Sequence, residues 1–335
     1  MVEAKKLIKL NSLYKYLALL FAAILLPFLF NDEYIRFLLV TICIYSILTL
    51  SLDIVVGRMG QITLGHSAFF ALGAYASALV CLKLGAPVLV GWLAAIFITG
   101  ILGLFIGFVA LRTARGLTFS IITYGFSLLA WLILGGSYYF TGGWQGLTGI
   151  PAPTVNIPGI LELSFKSNFS YYYLALIVLI VVIYLLVWLT RTKLGRALTA
   201  LRENENLAKS MGINAFQNYL IAFTISTMLA GLAGALYCHF LRIITPELAS
   251  LNYVFMMFIM LIVGGKGTIP GVILGSVIFV TVPEVTGFMG EIRPVLLGIV
   301  FLVCIVFMPN GIYPALSHLF KRSKWLRSFD KVIKH

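Results

Sequence analysis

Two adjoining stretches decide how this chain folds: Tyr171–Thr190, YYYLALIVLIVVIYLLVWLT, and Leu194–Asn214, LGRALTALRENENLAKSMGIN. The first is apolar throughout and has the length of a helix that crosses a bilayer, ~20 residues. The second is the one long polar, helix-patterned segment in the interior of the chain, and another apolar run starts near Tyr219. Within it Leu194, Ala197, Leu198, Leu201, Ala208 and Met211 fall near one helical face. Arg196, Arg202, Glu203, Glu205 and Lys209 mostly fall elsewhere, and Glu205 precedes Lys209 by one turn in the favourable order. The stripe falters at Asn204. A polar helix held between two spans suits two uses, docking a partner in water or resting on the lipid surface.

The remainder of the chain has the same character. Of 335 residues 61% are hydrophobic and 10% charged, with a mean hydropathy of +1.04. Soluble domains carry about 25% charged residues. The apolar runs suit helical spans of ~20 residues, not the short alternating strands of an outer-membrane barrel. Lipid offers the backbone no hydrogen bonds, so the expected class is all-α, a polytopic helical integral membrane protein. The net charge of +13 lies between and after the spans, the pattern of cytoplasmic loops near anionic lipid and not of a nucleic-acid surface. Cys43, Cys81, Cys238 and Cys304 sit in or beside apolar runs without a CxxC pair, so they read as packing residues; no metal site or cofactor is expected.

About ten spans are expected. Leu17–Phe30, after four lysines and without a small-x-small cleavage site, reads as an uncleaved first span. The others run roughly over Ile35–Val56, Gln61–Leu82, Pro87–Leu111, Leu117–Gly136, Tyr171–Thr190, Gln217–Phe240, Leu251–Val263, Ile269–Val285 and Pro294–Met308. Gly57–Gly60 reads as a short turn, and Ser137–Ser170 as an ordered external loop. With both termini cytoplasmic, all but five of the 24 Lys and Arg fall inside, the five being Arg36, Lys83, Lys166, Arg242 and Arg293. That bias puts Leu194–Asn214 in the cytoplasm. No domain boundary or strong repeat appears: residues 1–308 form one membrane domain and 309–335 a basic cytoplasmic tail.

The stretch GQITLGHSAFFALGAY, 60–75, is the most polar and Gly-rich opening of any span. Gln61, Thr63, His66, Ser67 and Tyr75 offer hydrogen bonds beside Phe69, and Gly65 permits local unwinding. Transporters bind solutes at such broken helices, although small residues also serve plain helix packing. Asp53 is an intramembrane acid suited to proton relay or to pairing with Arg58. Glu284 and His239 read as solvated or locally paired. The pairs Gly103/Gly107 and Gly271/Gly275 suggest close helix contacts. Trp144, in the run GGWQGLTGIP at 142–151, is expected to be exposed, capping a pathway, meeting an external partner or belonging to a plain structured loop. A phosphate-loop reading of GGKGT at 264–268 fails, because Met260 and Gly267 occupy positions that need Gly and Ser or Thr. The chain thus has no recognisable means of hydrolysing ATP.

Several of these motifs, taken in order, resemble the permease subunits of branched-chain amino-acid ABC importers of the LivM type. They are GQITLGHSAFFALGAYASALV (60–80), GLTGIP (146–151), the 194–214 stretch continuing into AFTISTMLAGLAGALY (222–237), and IVGGKGTIPGVILGS (262–276). The resemblance implies pairing with a related second permease, two cytoplasmic ATPase subunits, an external solute-binding protein, an amino-acid solute and residence in a bacterial or archaeal cytoplasmic membrane. It also implies that 194–214 is the coupling segment, with Arg202, Glu203, Glu205, Asn206, Ala208 and Gly212 at the ATPase contact. The general importer motif Glu-Ala-Ala-x-x-x-Gly is met here by Ala208 and Gly212 but departs at Asn206 and Leu207, with Glu205 one residue early. Related permeases import urea or short amides, and an ion-coupled transporter using Asp53 is the reading of a different class. A membrane enzyme is a third class, without a supporting motif.

Overall fold

The structure is a computed structural model that describes residues 32–113, 115–157 and 161–285, together with 21, 23–29, 298, 302 and 311–315. Apolar sequence becomes helix here between polar caps and glycine breaks. Helix α1 (Glu33–Asp53) starts on Asp32, whose carboxylate accepts the Tyr34 N–H at 2.9 Å. It runs directly into a π-turn, Ile54–Arg58, and residues 59–65 are not helical. The expected span at Gln61 therefore begins later, as α2 (His66–Leu84), and the expected turn at 57–60 is largely the π-turn. Gly60, with φ +73°, cannot continue a helix.

Next come α3 (Val88–Thr113), α4 (Leu117–Gly136) and the short α5 (Tyr138–Thr141). The described parts of the segment 137–170 hold β1 (Leu147–Thr148), β2 (Thr154–Ile157) and β3 (Leu161–Ser164). Strands β2 and β3 form an antiparallel hairpin. Strand β1 pairs instead with β4 (Ile243–Ile244), Leu147 opposite Ile244. That pairing straps the loop to the end of a distant helix. Trp144 is exposed at the edge of this layer and packs on Trp131 at 4.7 Å.

Helix α6 (Asn168–Arg191) starts on Ser167, whose hydroxyl accepts the Ser170 N–H. The Tyr172 and Tyr173 hydroxyls reach back to the carbonyls of Ala23 and Ile24, holding the helical residues 23–29 against it. The polar stretch after α6 is two helices and not one: α7 (Lys193–Glu203) and α8 (Glu205–Ser210). Asn204 breaks them with an extended backbone, and its side chain accepts the Leu207 N–H at 3.0 Å. An Asn in this role starts a helix better than it continues one. The break resets the helical phase, so Leu198, Leu201 and Ala208 are buried as expected while Met211 is 75% exposed. Helices α9 (Ala215–Leu241), α10 (Leu251–Gly264) and α11 (Ile269–Val285) complete the described bundle.

Helices α1, α2 and α9 are the most enclosed, and α3, α4 and α6 lie around them. Phe97 and Phe105 of α3, Leu129 and Ile133 of α4, and Val181 and Trp188 of α6 are exposed apolar side chains. Lipid or another membrane subunit must cover such faces. Inside the bundle, contact is close because side chains are small. A Cβ on Gly73 would strike the Gly231 backbone, joining α2 to α9, and one on Gly103 would strike Thr227, joining α3 to α9. Gly275 leaves the same lack of room against the Met260 carbonyl, between α10 and α11. Both expected GxxxG pairs thus lie at close helix contacts. Cys43, Cys81 and Cys238 are free and buried, and Cys304 lies outside the described residues.

Six helical segments among the described residues are long and apolar enough to span a bilayer. Helices α10 and α11 are apolar but only 14 and 17 residues long. At ~1.5 Å per residue α10 reaches about 21 Å, less than the ~30 Å of a hydrocarbon core. The expected span Pro294–Met308 falls almost wholly outside the described residues, as do the first residues of Leu17–Phe30 and most of the basic tail. The chain is a polytopic helical membrane protein.

Candidate functional site

The polar opening of α2 is the first candidate. Its backbone is pinned by α4: the Ser120 hydroxyl donates to the Ile62 carbonyl at 2.7 Å, and the Thr123 hydroxyl accepts the Leu64 N–H at 3.1 Å. Gly65 faces the Thr123 carbonyl with no room for a side chain. The Gln61 side chain accepts the Gly116 N–H at 2.9 Å. Thr63 is buried, with its hydroxyl 3.4 Å from the Gly65 N–H.

His66 is fully buried, with Nε2 2.8 Å from the Ser51 hydroxyl. That hydroxyl donates to the Leu48 carbonyl at 2.6 Å, which makes His66 Nε2 the donor and leaves Nδ1 as a bare acceptor. Ser67 and Ser127 lie 2.9 Å apart, and both hydroxyls reach the Ala249 carbonyl, at 3.1 and 2.9 Å. Phe69 packs among Phe126 and Phe223, with centroids 5.1 and 5.8 Å away. Tyr75 is buried, and its hydroxyl has no hydrogen-bond partner among the described residues. These residues therefore share one helix opening without converging on one point: His66 faces α1, and Ser67 faces α4 and Ala249. Their partners Ser51, Thr123 and Ser127 are not legible in the sequence, because a lone Ser or Thr in an apolar run shows no partner.

The second candidate is the polar pair α7–α8, at the end of the bundle that carries Arg58, Arg112, Arg115 and Arg191. Thr192 caps α7 and Asn214 caps α9, each by accepting a backbone N–H three residues on. Glu205 is the local hub. Lys209 Nζ lies 2.7 Å from its carboxylate and Arg115 Nε 3.5 Å, and the Tyr219 hydroxyl lies 3.4 Å away. Arg115 also stacks over the Tyr219 ring at 4.9 Å. Burial works against ionisation of Glu205, but Lys209 and Arg115 outweigh it and hold the carboxyl below the usual carboxylate range.

The six expected coupling residues thus divide by direction. Arg202 turns towards the bundle and donates to the Gly57 carbonyl. Glu205 is engaged within the chain, and Ala208 is packed. Gly212, at φ +84°, turns the chain towards α9. Glu203 and Asn206 are exposed, as are Leu207 (60%) and Met211 (75%). Beside them Arg115, Lys209, Gly212, Asn214 and Phe216 line a cleft of about 390 Å³. The sequence shows the stretch as polar and helical, but it puts Met211 on the same face as Leu198 and Leu201 and does not single out Leu207.

Three other polar residues are settled by geometry. Asp53 is fully buried, pairs with Arg58 at 3.4 Å and accepts the Gly267 N–H at 2.6 Å. The pairing alternative is the one its geometry shows. His239 is buried between the Ser77 hydroxyl (2.8 Å) and the Pro151 carbonyl (2.7 Å), locally paired and not solvated. Glu284 accepts from the Tyr34 hydroxyl. Among the described residues no group of His, Cys, Asp and Glu is arranged to hold a metal ion.

Comparison with known proteins follows the same lines. Residues 34–309 match the family described as branched-chain amino acid transport system / permease component. The chain is 31% identical over 322 residues to the high-affinity branched-chain amino acid transport system permease protein LivM of Salmonella typhimurium, covering 89% of this chain and 74% of that protein. It is 31% identical over 321 residues to LivM of Escherichia coli, with the same coverage. The permease protein LivH of Escherichia coli is 22% identical over 286 residues, 80% of this chain and 90% of that one. On a match that spans most of its length, this chain belongs to the family of permease components of branched-chain amino acid transport systems.

Proposed function

We propose that this chain is the membrane-spanning permease of an ATP-driven importer for branched-chain or related amino acids. Family membership along most of the chain is the observation that carries the reading. The chain itself lacks an ATP-binding loop, so the energy enters from partner ATPases at α7–α8 on the cytoplasmic side of a bacterial or archaeal cytoplasmic membrane. A related second permease covers part of the apolar outer surface, and an external binding protein delivers the solute. Residues 1–308 act as one translocating domain. The exposed face of Glu203, Asn206, Leu207 and Met211 meets the ATPases, and the broken opening of α2 borders the solute pathway.

The contact is tested by Glu203→Lys with Leu207→Asp in the complete complex. Loss of co-purifying ATPases, with the permease still folded, is expected. Full co-purification and full ATP-driven uptake would place the contact elsewhere. The pathway is supported by the buried His66 Nδ1 and Tyr75 hydroxyl, two polar atoms without a hydrogen-bond partner among the described residues. His66→Ala with Ser67→Ala is expected to lower uptake or alter solute preference in an assembled complex. Unchanged uptake and preference would leave both residues as packing groups.

A further inference from the structure

One tie between the docking segment and the bundle is made by Arg202, and it falls where the first long described span loses its α-helical form. The Arg202 guanidinium donates to the Gly57 carbonyl inside the π-turn 54–58. Its stem crosses Gly60, where a Cβ would come within 2.8 Å of Arg202 Cγ. Its Nη1 stands 3.5 Å from the place a Cβ on Gly267 would take. On the far side of the same backbone, the buried Asp53 carboxylate holds the Gly267 N–H and pairs with Arg58. The end of α1, the end of α7 and the 265–267 turn between α10 and α11 therefore meet in one polar clasp.

The chemistry of the clasp makes it specific. A buried carboxylate is tolerated only with close partners, and here they come from two separate segments. A π-turn has a hydrogen-bond register that differs from its α-helical continuation, and such turns recur at functional sites. This one leads through residues 59–65 into the opening of α2, which carries His66 and Ser67. A second tether runs from α8 to the same region. Glu205 bonds Arg115, and the adjoining Gly116 N–H bonds Gln61.

We propose that Arg202 is a positioning residue for transport: it carries displacement of α7–α8 to the π-turn 54–58 and the 265–267 turn, shifting the spans attached to each. The proposal rests on the reading that α7–α8 meet the ATPases. Movement is transmitted only if the contact differs between two states of the complex, and the π-turn supplies an element with an alternative register.

The test is the number of ATP molecules hydrolysed per solute imported by the complete complex in proteoliposomes. Arg202→Gln keeps Cβ and Cγ, the part of the stem that crosses Gly60, and removes the charge-assisted donor, a class of bond worth more than a neutral one. The ratio is expected to rise about tenfold, because a lost charge-assisted bond is of that order. Arg202→Lys, which keeps charge but not the planar fork, is expected to lie between. A merely structural role would lower hydrolysis and uptake together and leave the ratio unchanged, and that result overturns the proposal. If Arg202→Gln fails to assemble, Arg202→Lys alone decides, and a wild-type ratio overturns it. Absence of ATP-dependent uptake in the wild-type complex instead sinks the underlying reading and this proposal with it.

Discussion

At the scale of single residues, Glu205 shows how a surface carboxylate becomes structural. Lys209 and Arg115 converge on it, and Tyr219 closes the other side. Its carboxyl is held low, so the stabilisation is full above the ordinary carboxylate pKa of ~4.3 and is lost as pH falls through the depressed value. Glu205→Gln is expected to lower stability at pH 7 by about 1 kcal/mol, given the partial exposure of all three charges. In thermal melts of the purified permease, the gap from wild type should close in strongly acidic buffer. A gap that persists there would mean that packing, not charge, holds Glu205. Gly73 offers a second residue-scale test. Gly73→Leu should abolish a folded monodisperse permease, because the Gly231 backbone occupies the needed space. Gly125→Ala, with open space around it, should cost well under 1 kcal/mol.

At the scale of elements, the sequence carried most of the helices but not the bounds and consequences of their interruptions. A long apolar run such as Tyr171–Thr190 has one stable form in lipid, so α6 was legible to within a few residues. The start of α2 was not, because Gln61–Gly65 is held out of helix by side chains of α4, and no local pattern reports a partner about 60 positions away. The Asn204 break was visible as a flaw in the stripe. Its consequence, the outward Leu207 and Met211, needed the cap geometry. That pair should be dispensable for folding and needed for assembly. Leu207→Asp with Met211→Asp is expected to leave the melting temperature of the isolated permease within a few degrees of wild type. The same variant should lose its ATPases on co-purification, and a variant that keeps them would assign the pair to lipid contact.

At the scale of the whole molecule, the arrangement is a set of enclosed helices, α1, α2 and α9, with polar groups buried among them and a polar, water-facing pair beneath. The described helices present broad apolar faces outward. In the function proposed above, an energy source outside the chain, a moving element at α7–α8 and the broken opening of α2 form one mechanical line. Asp53, the residue an ion-coupled transporter would use, is already occupied by Arg58 and Gly267. The most direct measurement is uptake of labelled leucine, isoleucine or valine by the complete complex in proteoliposomes, with and without ATP inside, beside the solitary chain under an ion gradient. Uptake that requires ATP and all subunits, with none by the chain alone, is the expected result. Gradient-driven uptake by the chain alone would contradict it.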